Sequence, residues 1–217
     1  MSVAVKICGL NAEAAVAAAV AGGARFIGFV FYEPSPRCVS PARAGALAEA
    51  VPAGIGKVGL FVDADDKAIE TAIREARLDM LQFHGAETPQ RVAEARAKHG
   101  LPVMKAIKIA ARTDVAAADD YTGVADWLLF DAMPPRDLDT ALPGGNGLAF
   151  DWQLLGARTW STRWMLSGGL TADNLGEAVA TTHASYVDVS SGVEARPGVK
   201  DPAKIKAFLD RARSLGT

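Results

Sequence analysis

The repeating unit of this 217-residue chain is clearest at residues 80–107, which read MLQFHGAETPQRVAEARAKHGLPVMKAI. The apolar runs at 80–83 and 103–107 predict two short strands. Between them, Thr88 followed by Pro89 predicts the start of a helix over 90–99, because the hydroxyl accepts hydrogen bonds from free amides and proline suits the first helical position. The stretch therefore predicts a strand, a helix and a strand in succession.

The same alternation runs through the whole chain. Apolar, β-branched or aromatic runs predict strands at 3–7, 26–31, 57–62, 80–83, 103–107, 127–130, 163–166 and 186–189. Stretches with helical character lie at 12–21, 43–50, 66–76, 90–99, 114–119, 172–180 and 203–212, with a short candidate at 152–155. Most strands start 23 or 24 residues after the preceding one, a spacing that is typical of a repeated βα unit.

Eight such units predict a single-domain (β/α)8 TIM barrel over residues 1–217, since no linker divides the chain. The alternative is a doubly wound open sheet. The sequence KICG at 6–9 follows the first strand, in place of the G-x-G-x-x-G that marks many doubly wound folds. The closed barrel is therefore the better prediction.

Side-chain alternation places polar residues on one face of several strands. In the first, fourth, sixth and eighth strands, one set of alternate residues is apolar and suits packing on outer helices. The other set carries a polar residue at or near each strand's C-terminal end, namely Cys8, His84, Asp131 and Ser190. Because barrel active sites form at this end, we expect these four side chains to converge there.

Two glycine-containing loops indicate a phosphorylated ligand. LSGGL at 166–170 follows the seventh strand, and DVSSGV at 188–193 includes the end of the eighth. Glycine lets the backbone approach an anion, and turned amides supply the donors. One such loop would predict only a turn, but two at adjacent strand ends predict a phosphate site. Its residues are Gly168, Gly169, Ser191 and Gly192. The glycine-rich stretch 144–147 predicts either a lid or a connector.

Each candidate side chain also has a structural explanation. Cys8 suits either a buried small hydrophobe or, beside Lys6, a thiolate. Asp131 suits either a cap for the following loop or a carboxylic acid in catalysis. Arg37 suits either a solvated loop cation or a planar fork that grips a carboxylate. His84 suits a satisfied histidine or a ligand contact equally. Lys6 is expected to pair with a carboxylate such as Asp188.

The composition excludes several classes of protein. The 23 basic and 25 acidic residues give a net charge of −2 without a basic block, which argues against nucleic acid and anionic membranes as partners. The longest apolar stretch, 14–24, is too short to span a membrane. Two cysteines, Cys8 and Cys38, are too few for a disulfide scaffold and show no metal-ligand spacing with the histidines. We therefore expect a cytoplasmic protein with reduced thiols and no bound metal.

Taken together, these motifs resemble those of the phosphoribosylanthranilate isomerase family, which has the (β/α)8 fold and acts in tryptophan biosynthesis. The resemblance runs in the family's order from Lys6 to Asp201. Its motifs are KICG at 6–9, GFVF at 28–31, SPR at 35–37, QFHG at 82–85, FDW at 150–152, LSGGL at 166–170 and DVSSGVE at 188–194.

The resemblance implies an Amadori rearrangement of N-(5-phospho-β-D-ribosyl)anthranilate that needs no cofactor. It implies that Asp131 is the general acid on the ribose ring oxygen, and that Cys8 is the general base at C2. Arg37 matches the position that holds the anthranilate carboxylate, and the glycine loops match the phosphate site. The other expected substrate contacts are His84, Gln82 and Asp188. For Cys8 to act at neutral pH, we expect its surroundings to lower the pKa of its thiol.

The sequence leaves some alternatives open. The family usually has a hydroxyl residue where Asn146 stands, and often a lysine where Leu148 stands. A pentose-phosphate epimerase would share the phosphate loops but would normally want metal ligands or another acid–base pair. A catalytically silent phosphosugar-binding protein would bind the ligand without hydrogen exchange at C2. We expect a monomer or a homodimer, and acceptance of a second aminosugar substrate stays open.

Overall fold

The structure is a computed structural model that describes residues 3–133, 144–145, 147, 149–156 and 158–216. Eight parallel strands close into a barrel in chain order, with β1 hydrogen-bonded to both β2 and β8. The strands are β1 Ala4–Cys8, β2 Phe26–Val30, β3 Gly56–Phe61, β4 Met80–Phe83, β5 Val103–Ile109, β6 Trp127–Ala132, β7 Arg163–Leu166 and β8 Tyr186–Val189. This closure confirms the (β/α)8 barrel and excludes the open sheet, in which β1 and β8 would not pair.

Helices follow the strands and surround the barrel. They are α1 Glu13–Ala21, α2 Pro41–Ala48, α3 Asp66–Ala76, α4 Pro89–His99, α5 Arg112–Ala116, α6 Gln153–Gly156, α7 Leu175–Thr182 and α8 Pro202–Ser214. The side chain of Thr88 accepts a hydrogen bond from a first-turn amide of α4, as the sequence predicts, and Ser40 and Asp201 cap α2 and α8 in the same way. Among the helices that the structure describes, none combines the length and apolar character needed to cross a bilayer.

Three local elements differ from the sequence prediction. The helix expected at 114–119 starts earlier, because the carboxylate of Asp114 accepts from the amides of Ala110 and Ala111 and fixes the first turn of α5. The chain then tightens into a 3-10 helix, Ala117–Tyr121. Helix α7 starts late, because Thr171 and Asn174 first exchange side-chain-to-backbone hydrogen bonds in a turn. A hairpin of β9 Glu194–Arg196 and β10 Val199–Lys200 follows the eighth strand and was not predicted.

The buried residues form two layers that match the predicted alternation. The outer layer lies between strands and helices and includes Val5, Ile7, Phe83 and Phe130. The inner layer fills the lower barrel with Phe26, Val58, Met80, Met104, Ala106, Trp127, Leu129 and Met165. Above it, the inward side chains become polar toward the C-terminal ends of the strands. This change from apolar to polar along the barrel axis positions the candidate site.

Candidate active site

An open cavity lies at the C-terminal end of the barrel, as the strand alternation predicts. Its wall includes Cys8 at the end of β1, His84 after β4, Asp131 in β6 and Ser190 after β8. Arg37, Asp188 and the four residues of the predicted phosphate site also line it. The structure therefore brings all the predicted site residues to this wall except Gln82.

Cys8 lies next to a buried ion pair. Its side chain is almost wholly covered, and its residue is 4% exposed. The Lys6 ammonium donates to the carboxylate of Asp188 at 2.8 Å, which confirms the expected pairing inside the barrel. The second oxygen of Asp188 accepts from the hydroxyl of Ser167 at 3.4 Å. The thiol thus shares its surroundings with a cation and an anion that are both held in place.

Two opposing effects act on the thiol of Cys8. Burial raises its pKa, since a thiolate loses its hydration there, and the charge of Asp188 acts in the same direction. The ammonium of Lys6 opposes this but does not outweigh it. The expectation of a lowered pKa at Cys8 is therefore wrong, because desolvation dominates at so buried a position.

The second catalytic candidate, Asp131, belongs to a hydrogen-bonded chain. Its Oδ2 atom lies 3.2 Å from Nε2 of His84, and its Oδ1 accepts from the backbone amide of Ala132 at 3.0 Å. On the far side of the imidazole, the Nε2 amide of Gln82 lies 3.0 Å from Nδ1 of His84. When this amide donates, the neutral ring carries its proton on Nε2 and points it at Asp131.

Gln82 differs from the other predicted site residues in its position. It faces the barrel interior as expected, but it is fully buried and is not among the residues that line the cavity. The direct contact between Gln82 and substrate stays a prediction, and among the described residues the contact that Gln82 makes toward the cavity is with His84. The geometry gives Gln82 the task of orienting His84.

Arg37 reaches the cavity from the loop after β2 with its guanidinium already oriented. Its Nε and Nη2 atoms donate to the two carboxylate oxygens of Glu194 at 2.8 and 2.9 Å. The ammonium of Lys200 shares Glu194 at 2.8 Å and also donates to the carbonyl of Ser190. Burial alone would raise the pKa of Glu194, but Arg37 and Lys200 together lower it. The cluster holds two cations for one anion, so a positive charge is left for an anionic ligand.

The predicted phosphate loops approach each other closely. Gly168 adopts φ +89°, a left-handed conformation that glycine accepts without strain. At Gly192, a Cβ atom would lie 1.9 Å from the carbonyl oxygen of Leu170, so no side chain fits. The hairpin behind this loop is tied down by Lys200, which donates to both oxygens of Ser190. The two loops thus present a compact backbone surface of the kind that binds anions.

Part of the glycine-rich stretch 144–147 crosses the cavity. Gly144 lies against His84 and Asp131, and the carbonyl of Gly145 accepts from Nη2 of Arg37 at 3.0 Å. Gly147 lines the cavity near Ser191. These described residues contact two separate parts of the cavity wall, His84 with Asp131 and Arg37, which a connecting loop need not do. Asn146 and Leu148 lie outside the described residues.

Sequence reasoning missed several residues that build the site. Glu194 and Lys200 were not assigned, because their short hairpin strands give little periodicity. The Pro197-Gly198 turn was the available signal for a hairpin. Ser167 lies in the LSGGL motif at 166–170, and its position at the end of a strand was the available signal for a role in the site. Within the part of the chain that the structure describes, no group of three or more His, Cys, Asp or Glu side chains is arranged to hold a metal ion.

Comparison with known proteins adds independent findings. The family model described as N-(5'phosphoribosyl)anthranilate (PRA) isomerase matches residues 5–211. A protein of Rhodospirillum centenum named N-(5'-phosphoribosyl)anthranilate isomerase is 58% identical over 215 residues, which are 99% of this chain and 100% of that protein. The range matched by the family model, 5–211, includes every residue of the candidate site.

Solved structures agree in fold. The phosphoribosyl anthranilate isomerase of Thermotoga maritima superposes with a TM-score of 0.87 at 33% identity, covering 98% of this chain and 100% of that one. An isomerase in complex with reduced 1-(o-carboxyphenylamino)-1-deoxyribulose 5-phosphate gives 0.84 at 32% identity with the same coverage. Monomers generated from the dimeric Thermotoga maritima enzyme give 0.82 at 31% identity, again with this coverage.

Proposed function

The chain belongs to the N-(5'-phosphoribosyl)anthranilate isomerase family, and we propose that Cys8 and Asp131 are the base and the acid of its reaction. This reaction of tryptophan biosynthesis is an Amadori rearrangement, which yields 1-(2-carboxyphenylamino)-1-deoxy-D-ribulose 5-phosphate. One observation carries the assignment of roles. Both side chains open into a single cavity that also holds Arg37 and the two glycine loops.

The substrate has an anion at each end, and the cavity offers a partner for each. Amides of the loops at 168–169 and 191–192 suit the phosphate, because they donate hydrogen bonds from a preformed backbone. Arg37 suits the anthranilate carboxylate. Among the described residues, its Nη1 atom has no hydrogen-bond partner, while Glu194 holds Nε and Nη2. Two fixed anchors place the sugar between them and supply much of the rate by positioning.

Asp131 acts first in the proposed sequence. Its carboxylic acid gives a proton to the ribose ring oxygen, the bond from that oxygen to C1 breaks, and the nitrogen lone pair forms a protonated Schiff base with C1. His84 lies 3.2 Å from Asp131 and orients the carboxyl group. A positioned acid of this kind typically contributes about 10²–10⁴-fold to the rate.

Cys8 acts on the ring-opened sugar. Its thiolate takes the proton from C2, and the electron pair of that bond forms the C1–C2 double bond of an enolamine as the Schiff base nitrogen becomes neutral. Protonation at C1 and loss of the C2 hydroxyl proton then give the ketone. The positive Schiff base favours the thiolate, since a nearby opposite charge stabilises an ionised group. This offsets the burial that raises the pKa of Cys8.

Replacing Cys8 by alanine tests the assignment. We expect Cys8→Ala to lose about 10²–10⁴-fold or more in kcat, followed as the loss of phosphoribosylanthranilate fluorescence with metal-stripped protein. Inorganic phosphate should still bind, because the glycine loops are untouched. The matched control is Cys38→Ala, which removes the other free thiol outside the cavity and should keep activity. Near-normal turnover by Cys8→Ala would contradict the role of Cys8 as base.

The same assay separates the alternatives raised by the sequence. Turnover of phosphoribosylanthranilate by metal-stripped protein argues against a metal-dependent epimerase, and also against a silent binding protein, which would bind the ligand without hydrogen exchange at C2. We also propose a cytoplasmic location, which the two free thiols support. Whether the chain is a monomer or a homodimer stays a prediction that sedimentation of the purified protein decides.

A further inference from the structure

Lys6 is a buried charged group that the reaction described above does not use. It is 1% exposed and lies inside the barrel just below the cavity. Its ammonium donates to Asp188 across the β1–β8 pairing, where the two residues are register partners. A buried ion pair is a weak source of stability, because desolvation of both charges offsets their attraction. The position of Lys6 therefore calls for another explanation.

Lys6 lies close to the sulfur of Cys8. The two residues point to the same face of β1, and the positive charge of Lys6 favours the thiolate of Cys8. Gly28 on β2 leaves the space for this close approach. A Cβ atom there would lie 2.9 Å from Sγ of Cys8 and 3.2 Å from Nζ of Lys6. Both atoms are thus packed against one small patch of the neighbouring strand.

We propose that Lys6 is a positioning residue for Cys8: its ammonium, held by Asp188, lies beside the sulfur and stabilises the thiolate that accepts the C2 proton. The inference rests on the role of Cys8 proposed above. An ammonium has three N–H donors, so its hydrogen bond to Asp188 leaves donors for the sulfur. Asp188 also keeps the lysine charged, because its carboxylate raises the pKa of Lys6 although burial would lower it.

The other charged groups near Cys8 do not stabilise its thiolate as Lys6 does. Asp188 on β8 disfavours the thiolate, and Lys200 on β10 favours it more weakly than Lys6 does. Lys200 donates to Glu194 and Ser190 instead. The remaining titratable groups that line the cavity are His84 after β4, Asp131 on β6, and Tyr32 and Arg37 after β2. Lys6 is the cation that lies beside the thiol at Gly28.

The test is the pH dependence of alkylation of Cys8 by iodoacetamide, read by peptide mass spectrometry with Cys38 as an internal reference. Only the thiolate reacts at a useful rate, so the midpoint of the profile reports its formation. Lys6→Met removes the cation. The matched control is Lys105→Met, which removes another buried lysine, paired with Glu87 at 2.8 Å on the outer side of the barrel.

We expect Lys6→Met to move the Cys8 midpoint upward by about one pH unit or more, which is roughly tenfold slower alkylation below the midpoint. The profile of Cys38 should stay unchanged, and Lys105→Met should leave that of Cys8 unchanged. A Cys8 profile in Lys6→Met that coincides with that of the parent would overturn the proposal. An equal shift in Lys105→Met would do the same, because it would show a general loss of structure.

If Lys6→Met does not fold, a second variant provides the test. Lys6→Met combined with Asp188→Asn leaves no unpaired buried charge, and it should still raise the midpoint, by less than Lys6→Met alone. An unchanged or lower midpoint in the double variant would overturn the proposal. Alkylation needs no substrate, so these outcomes are independent of whether Cys8→Ala retains isomerase activity, which tests the role of Cys8 itself.

Discussion

Arg37 illustrates how one side chain is prepared for a ligand. An isolated arginine on a loop samples many rotamers and loses that freedom on binding. Here a bidentate contact with Glu194 fixes the guanidinium plane, and burial to 5% exposure limits its contact with water. The side chain of Arg37 loses its conformational entropy on folding rather than on binding. Its Nη1 donor is therefore already oriented for a carboxylate.

Replacing Arg37 by alanine should therefore weaken substrate binding selectively. Loss of a charge-assisted hydrogen bond typically costs about 1.5–3 kcal/mol, so we expect KM for phosphoribosylanthranilate to rise roughly 10–100-fold in Arg37→Ala. The inhibition constant of inorganic phosphate should change little, because phosphate has no carboxylate to lose. Steady-state kinetics with phosphate as inhibitor measures both. Equal weakening of the two ligands would show that Arg37 does not recognise the carboxylate.

Individual side chains also show where sequence reasoning succeeds and where it stops. The period of two in a strand fixes the face of each residue, and this alone predicted the convergence of Cys8, His84 and Asp131. It does not fix depth along the barrel, and so it could not show that Gln82 is absent from the cavity wall. The pairing of Arg37 with Glu194, 157 residues apart, leaves no local signal in the sequence.

Among the elements, the two loops after β7 and β8 pack against each other. Their close approach at Gly192 and the carbonyl of Leu170 leaves no room for a side chain. Neither loop alone predicts this contact, since it depends on β7 and β8 being neighbours in the closed barrel. Both loops could be predicted from the sequence, because glycines follow the seventh and eighth strands. How closely the two loops approach each other is known only from the structure.

Gly192→Ala tests this pairing. The added methyl group would collide with backbone rather than with a movable side chain, so one loop must shift and the phosphate site must open. We expect at least tenfold weaker inhibition by inorganic phosphate and a similar rise in KM, whereas the intact thiol of Cys8 should still be alkylated normally. Gly54→Ala is the control for strain away from the site, because its φ of +98° disfavours alanine although the space around its Cβ position is open. Unchanged phosphate inhibition in Gly192→Ala would remove these loops from the phosphate site.

Across the whole molecule, barrel closure joins residues from both ends of the chain. The pairing of β1 with β8 sets Lys6 beside Asp188, and the hairpin β9–β10 brings Glu194 and Lys200 to Arg37. The repeat of strands and helices was sufficient to predict the barrel. The hairpin was not predicted, because two strands of three and two residues carry too little pattern.

The buried cluster of Glu194, Arg37 and Lys200 should make stability depend on pH. The pKa of Glu194 is lowered in the folded protein, so its contribution is present above its unfolded pKa, about 4.3, and is lost as the pH falls through the lower folded value. We expect the difference in unfolding free energy between the parent and Glu194→Gln, measured by urea denaturation, to shrink from about pH 6 to about pH 3. A difference that stays constant over this range would contradict the claim that Glu194 stabilises the folded protein through its negative charge.

A crystal structure of this enzyme with reduced 1-(o-carboxyphenylamino)-1-deoxyribulose 5-phosphate tests most directly the claim that Cys8 and Asp131 act on one anchored sugar. We predict phosphate on the loops at 168–169 and 191–192, and the carboxylate on Arg37. Sγ of Cys8 should lie near C2, and the carboxyl group of Asp131 near the oxygen released from the ring, each within about 3.5 Å. A bound ligand with C2 out of reach of Cys8, or with Asp131 turned away from the sugar, would contradict the mechanism.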